Sequence, residues 1–269
     1  MLFYVSLALI LAPLFIINQN TYWKECGRIN LNYKGLGVML IAYFAFTLWA
    51  NHLHEVKEQA FQPFVVGSLG ESDIAEINPL DRWVAGAWNI DVMAYGKFLK
   101  SLAYYTIPCL LLFFVGSVRQ RLVLVGLFYG GHYVTDSITR VVKGIVTRYR
   151  PFVYRSQEQI DVLNETSRQS FYDHISGYDI LNSFYSGDTC TVGYGMVFFA
   201  ILFQHGYPSS KYKGLVWIVA GLSIALGVYF RTLSGKHFAT DTLFGAIVGA
   251  GMAWFIIKTH TVPTKITSN

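Results

Sequence analysis

Apolar runs recur along this 269-residue chain, at 2–17, 35–50, 101–118, 122–145, 191–204, 215–229 and 242–258. Crossing a hydrocarbon layer of ~30 Å as a helix takes about 20 residues. Several runs fall short of that, so their polar ends complete the span. With 53% hydrophobic and 14% charged residues and a mean hydropathy of +0.38, the chain lies well outside the balance of a soluble domain. The pattern predicts an all-α, polytopic transmembrane bundle of six core helices plus an extra N-terminal helix at 2–17. That first run has no basic start and no small-x-small site after it, which favours a retained helix over a cleaved signal.

Residues 80–102, LDRWVAGAWNIDVMAYGKFLKSL, mix aromatic and charged side chains in a way that suits an amphipathic helix at the membrane interface. Cys26, Cys109 and Cys190 are odd in number and scattered, which gives no disulfide framework. No internal repeat, nucleotide loop or nucleic-acid patch stands out. The net charge of +5 is accounted for by inter-span loops and by the residues discussed next.

Basic residues beside the runs set the expected orientation. Lys24, Arg28 and Lys34, then Arg119 and Arg121, then Lys211 and Lys213, then Lys258 and Lys265 mark four segments as cytoplasmic. Glu55, Glu58, Glu71, Asp73, Glu76 and Asp81 then fall on the opposite side, with the stretch after Pro151 and the turn near Gly235.

Three polar clusters lie on that second side. In GGHYVTDSITRVVKGIVTRYRP, residues His132, Asp136, Arg140, Lys143, Thr147 and Arg150 follow one another at steps of three or four, one stripe on a helix expected to run to Pro151. His132, Asp136 and Arg140 suit an internal polar seam, whereas Lys143 and Arg150 at the helix end suit an anion. Near Gly235, Arg231 is followed by His237 and Asp241. The last two share a helical face, where a carboxylate can accept from Nδ1–H and leave Nε2 free; an ordinary structural pair has the same spacing. In SFYSGDTC, Ser186 can cap a helix starting near Gly187, whose amide is open to an oxyanion.

Taken together, Lys143, Arg150-Pro151, Ser186-Gly187-Asp188, Arg231, His237 and Asp241 resemble the tripartite signature of the type 2 phosphatidic acid phosphatase superfamily, membrane relatives of the vanadium haloperoxidases. The resemblance covers roughly residues 101–258. It implies that Lys143, Arg150 and Arg231, helped by the Ser186 hydroxyl and the Gly187 amide, bind phosphate oxygens. His237 would attack phosphorus and Asp241 would orient it, with no metal and no cofactor. It divides the chain into an N-terminal membrane segment and loop (1–34), a membrane-embedded phosphatase-like domain (35–258) and a cytoplasmic tail (259–269).

Tyr185 replaces a usual proline, Phe230 a usual serine, and Asp188 the second histidine, the family's general acid. An aspartic acid titrates at ~3.9 in water, so at neutral pH Asp188 is a poor donor and a ready base. Either the leaving group needs little protonation, or Asp188 is protonated in the complex, or another residue substitutes. His174, on the long polar loop 152–182, is one candidate substitute; the loop itself reads as a lid or headgroup reader, or as a solvated insertion. His52, His54 and Glu55 could chelate a metal but suit a solvated helix end. Gly245, Gly249 and Gly251, with Ala246 and Ala250, form a small face for close helix packing.

The resemblance implies an integral-membrane lipid phosphate phosphatase of a bacterial inner membrane, working on the periplasmic side on a lipid mono- or diphosphate. A phosphotransferase using the same site, or a phosphate-binding regulator without turnover, are the alternatives. The sequence leaves the oligomeric state open.

Overall fold

The computed structural model describes residues 32–114 and 118–260, and within them the chain is helical with a single isolated bridge and no strand. The first apolar run, Cys26 and the tail beyond residue 260 lie outside the described residues.

Asn32 caps α1 (Tyr33–Ala60), its side chain accepting from the Gly35 amide at 3.2 Å. Val38, Ile41, Phe44 and Leu48 of α1 stay exposed at helical spacing while only Ala50 is buried, so an apolar stripe points outward. Two short elements follow, α2 (Glu71–Glu76) and a 3-10 turn at Arg82–Val84. Asn89 then caps α3 (Ile90–Ser101), which runs through a π turn (Leu102–Thr106) into α4 (Ile107–Phe114). Within residues 80–102 the α-helical part is therefore confined to residues 90–101. That helical half is the first part of a longer element, held there because Met93, Gly96 and Leu99 bury one face against a neighbouring helix.

The next helix, α5 (Val118–Ile145), carries hydroxyls at apolar depth. Thr135, Ser137 and Thr139 each donate to the carbonyl four residues earlier, at 2.7, 2.9 and 2.9 Å, so none is left bare. α5 ends at Ile145, short of the expected Arg150. The residue before a proline is steered to extended backbone, and Arg150 sits at φ −78°, ψ 151°. The backbone it frees is taken up by 180–183: Arg148 N donates to Leu181 O, Arg150 N to Ile180 O and Ser183 N to Arg148 O, at 3.0, 2.8 and 3.1 Å. Thr147 and Arg150 thus leave the helical stripe, and Arg150 reaches the site from an extended segment.

Residues 152–182 fold into α6 (Gln157–Asp161), α7 (Glu165–Ile175) and two 3-10 turns around their own small core of Phe152, Ile160, Phe171, Ile175 and Ile180, with Trp88 and Met93. This is an ordered cap layer, not an open loop.

Ser186 caps α8 (Gly187–Gly206), its Oγ accepting from Thr189 N. α8 is buried on all sides, including Val192, Tyr194, Phe198 and Leu202, which makes it the central helix. Around it lie α9 (Lys213–Leu233) and α10 (Ala239–His260). α1, α9 and α10 are each long and apolar enough to cross a membrane. The protein is an integral-membrane, all-α helical bundle.

α8 and α10 meet backbone to backbone. A Cβ at Gly193 would lie 2.5 Å from Ala246 O, at Gly245 2.4 Å from Ser186 O, and at Gly249 2.0 Å from Cys190 O. Gly251 meets nothing within 4 Å, so the seam uses Gly245 and Gly249 and leaves Gly251 out. Through this seam the start of α8, which carries Ser186 to Asp188, is set against the start of α10 and Asp241.

Candidate active site

Where α3, α5, α8 and α9 converge at one end of the bundle, a cavity of about 760 Å³ opens. Lys97, Lys100, Arg140, Lys143, Arg150 and Arg231 line it, against two carboxylates, Asp136 and Asp188. Six cations against two carboxylates leave the cavity with an excess of positive charge, which suits an anion. Gly187 and His237 line the same cavity, so six of the eight residues singled out from sequence, Lys143, Arg150, Gly187, Asp188, Arg231 and His237, share one wall. Ser186 and Asp241, both 0% exposed, lie behind that wall.

His237 sits in the tight turn between α9 and α10. Gly235 makes that turn at φ +76°, and any Cβ there would fall 1.8 Å from Ala87 O. The ring is oriented from both edges. Nδ1 lies 2.6 Å from Ser183 O, which can only accept, so Nδ1 carries the proton. Arg150 Nη1, which can only donate, approaches Nε2 at 3.4 Å, so Nε2 keeps its lone pair. Burial, then the charges of Arg150, Lys143 and Arg231, push the imidazole well below its ordinary pKa, and it is neutral around pH 7.

The partner expected for Nδ1 was Asp241, and the structure differs. Asp241 accepts from Ser183 Oγ at 2.5 Å, from Phe238 N at 3.0 Å and from Arg148. Arg148 also binds Asp81 at 2.8 Å, and Asp81 accepts from Thr240 N and Oγ1. Held on that side by the guanidinium, the carboxylate reaches the ring only through Ser183 and the backbone next to His237.

Arg150 is clamped by Asp179, with Nη2 2.8 Å from each carboxylate oxygen and Nε 2.8 Å from its carbonyl, while Nη1 donates to Lys236 O at 2.9 Å. Arg231 gives Nη2 to Asp188 Oδ2 at 3.0 Å, while its buried Nε and Nη1 have no partner. Its alkyl chain passes α3 where Gly96 leaves room, since a Cβ there would lie 2.6 Å from Arg231 Cδ. The other oxygen of Asp188 accepts from Lys100 at 2.8 Å.

His174 is not part of the cavity wall. Its Nδ1 lies 2.7 Å from Ser170 O and its ring packs edge-on against Trp88, behind the site. His132 turns to Thr191 Oγ1 at 3.1 Å and does not join the Asp136–Arg140 pair, itself at 2.9 Å. His54 contacts Tyr178 and lies 3.9 Å from Glu58; among the described residues no group of three His, Cys, Asp or Glu could hold a metal ion.

Lys100, Asp179, Arg148, Asp81 and Ser183 were not singled out from sequence. Ser183 heads the SFYSGDTC stretch, and Lys100 is the last cation before an apolar run, which is the only signal it carries. Lys236, next to His237, is buried beneath Trp88 and Phe152, its Nζ 5.7 and 5.2 Å from their ring centres. Burial, then Arg150, lowers it to about 7. The unfolded chain therefore binds this proton more tightly than the fold does, and wild-type stability falls as pH drops from about 10.5 to about 7. Lys236→Met should accordingly gain stability relative to wild type as pH is lowered through that window. Thermal unfolding in detergent at pH 9 and pH 7 measures this, and a gap independent of pH would show that Lys236 is not the group responsible.

A buried, neutral histidine whose Nε2 keeps its lone pair stands at the head of a cation-lined cavity in a membrane bundle, an arrangement suited to phosphate. The family model for the PAP2 superfamily matches residues 121–265, more than half of the chain, and the protein belongs to that superfamily. Membership supports a phosphatase-type function. No curated protein and no solved structure matches the chain.

Proposed function

We propose that the protein is a lipid phosphate phosphatase that works through a phosphohistidine at His237 without a metal. The observation that carries this reading is the double fixing of the ring: Nδ1–H is committed to Ser183 O, and Nε2 keeps its lone pair beside Arg150. A pocket that only bound phosphate would have no use for a neutral, oriented imidazole in its wall.

In this reading Lys143, Arg150 and Arg231 hold the phosphoryl oxygens, and the unpartnered Nε and Nη1 of Arg231 are donors in search of acceptors. Fixed cations with the Gly187 amide at the N-terminus of α8 stabilise the charge that builds in the transition state. Ser186 caps α8 and so aims that amide. Asp241 orients His237 at one remove, by holding Ser183. The charge bias of the loops supports a site on the periplasmic or outer side of the membrane. The substrate is a lipid mono- or diphosphate; a phosphotransferase would use the same first half-reaction with an alcohol in place of water.

Phosphate release by the purified protein, measured across lipid monophosphates and diphosphates with a chelator present, tests this. Release from at least one lipid phosphate in chelator is expected. Release that returns only with added metal would reject the metal-free mechanism, and no release from any substrate would leave a binding protein as the better reading.

A further inference from the structure

We infer that Lys100 is the general acid of this site, in the place left open by Asp188, an inference that rests on the phosphatase reading above. Both oxygens of Asp188 are taken by cations, Oδ1 by Lys100 at 2.8 Å and Oδ2 by Arg231 at 3.0 Å. A carboxylate that accepts on both oxygens has no proton to give. The proton lies on its partner: an ammonium brings three donors, and one bond to Asp188 leaves two for the cavity.

Lys100 lines the same cavity as His237, Lys143, Arg150 and Arg231. It comes from α3, outside the stretch that matches the family, and its side chain is 45% exposed, open to whatever fills the cavity. Lys97 and Lys143 carry protons on the same wall but are not bonded to the carboxylate that stands in the acid's place, whereas Lys100 is. His132 is bonded to Thr191 and Tyr104 to Tyr133. Arg231, the other partner of Asp188, cannot lose a proton in water. Asp188 then has a defined part as a positioning residue: it anchors the ammonium of Lys100 beside the guanidinium of Arg231.

The two steps balance. As His237 Nε2 bonds to phosphorus, the P–O bond to the leaving oxygen breaks, its electron pair stays on that oxygen, and a proton passes there from the Lys100 ammonium. Water then attacks phosphorus, the P–N bond breaks with its pair returning to Nε2, and the proton that water loses goes to the Lys100 amine. Orthophosphate leaves, and Lys100 is an ammonium again.

The test compares decyl phosphate, whose alkoxide needs a proton to leave, with nitrophenyl phosphate, whose phenolate does not. The readout is kcat/KM, which reports steps up to departure of the leaving group. Lys100→Met should lose about 10²- to 10³-fold on decyl phosphate and less than about tenfold on nitrophenyl phosphate, in line with the usual worth of general acid catalysis. Lys100→Arg keeps the charge and the ion pair but has no proton to release, and should show the same split. Its rate on nitrophenyl phosphate also checks that the variant folds. Lys97→Met, which removes a charge from the same wall, should lose equally on both substrates. Equal losses for Lys100→Met on the two substrates, or rescue of decyl phosphate hydrolysis by Lys100→Arg, would reduce Lys100 to a charge that binds phosphate. Wild-type hydrolysis of neither substrate nor any lipid phosphate would instead overturn the phosphatase reading, and this role with it.

Discussion

His237→Ala should lower the turnover of a lipid phosphate by about 10⁴-fold or more, because on the proposed mechanism it removes the atom that bonds to phosphorus. The cations and the Gly187 amide stay in place, so the variant should still bind inorganic phosphate or vanadate. Asp241→Asn is a lesser lesion. The carboxylate touches Ser183 Oγ, Phe238 N and Arg148 but not the ring, so its loss loosens the Ser183 carbonyl that fixes Nδ1–H without taking away the nucleophile. A fall of about 10- to 100-fold in kcat, with measurable residual turnover, is expected. Equal and complete loss in both variants, with intact protein, would show that Asp241 does more than hold Ser183.

Gly249→Val should have the largest effect on the fold. Its first added carbon would fall 2.0 Å from Cys190 O and 2.8 Å from Tyr194 N, both backbone atoms of the central helix, so α8 and α10 must move apart. Overpacking of this kind costs about 3 kcal/mol, and here it also pulls Ser186 and Gly187 away from the turn that holds His237. Gly251→Val, two residues further along the same helix, meets nothing within 4 Å and should change the melting temperature little. Thermal unfolding of the two variants side by side in detergent measures the contrast. Equal destabilisation would mean that small residues serve this helix through its propensity or its outer face, not through the seam.

These two pairs of variants also mark how far the sequence could be read. The bundle was legible because apolar length alone requires helices across a membrane, and the cations were legible because a charge at that depth must face a cavity. Lys143, Arg150, Arg231 and His237 do meet on one wall, although Lys143 and His237 are 94 positions apart (237 − 143).

What was not legible depends on tertiary choices among equivalent partners. Spacing puts Asp241 on the same helical face as His237, yet His237 precedes α10 and sits in the turn, where a backbone carbonyl offers Nδ1 a nearer acceptor than the carboxylate. Arg148 was one basic residue among several in TRYRP until the extended segment turned it toward Asp81 and Asp241. Gly251 and Gly249 look alike in sequence, and only the crossing point of α8 and α10 tells them apart. Lys100 comes from a helix with no motif of its own and gains meaning from the carboxylate opposite it.

The most direct measurement is to quench the purified protein within its first turnovers of a radiolabelled lipid phosphate, in the presence of chelator, and to locate the label. Label bound to protein, stable in base, released by acid and mapped to His237 is the expected result, with none in His237→Ala. Full turnover with no base-stable phosphoenzyme on that timescale, or label on any other residue, would contradict a phosphohistidine at His237.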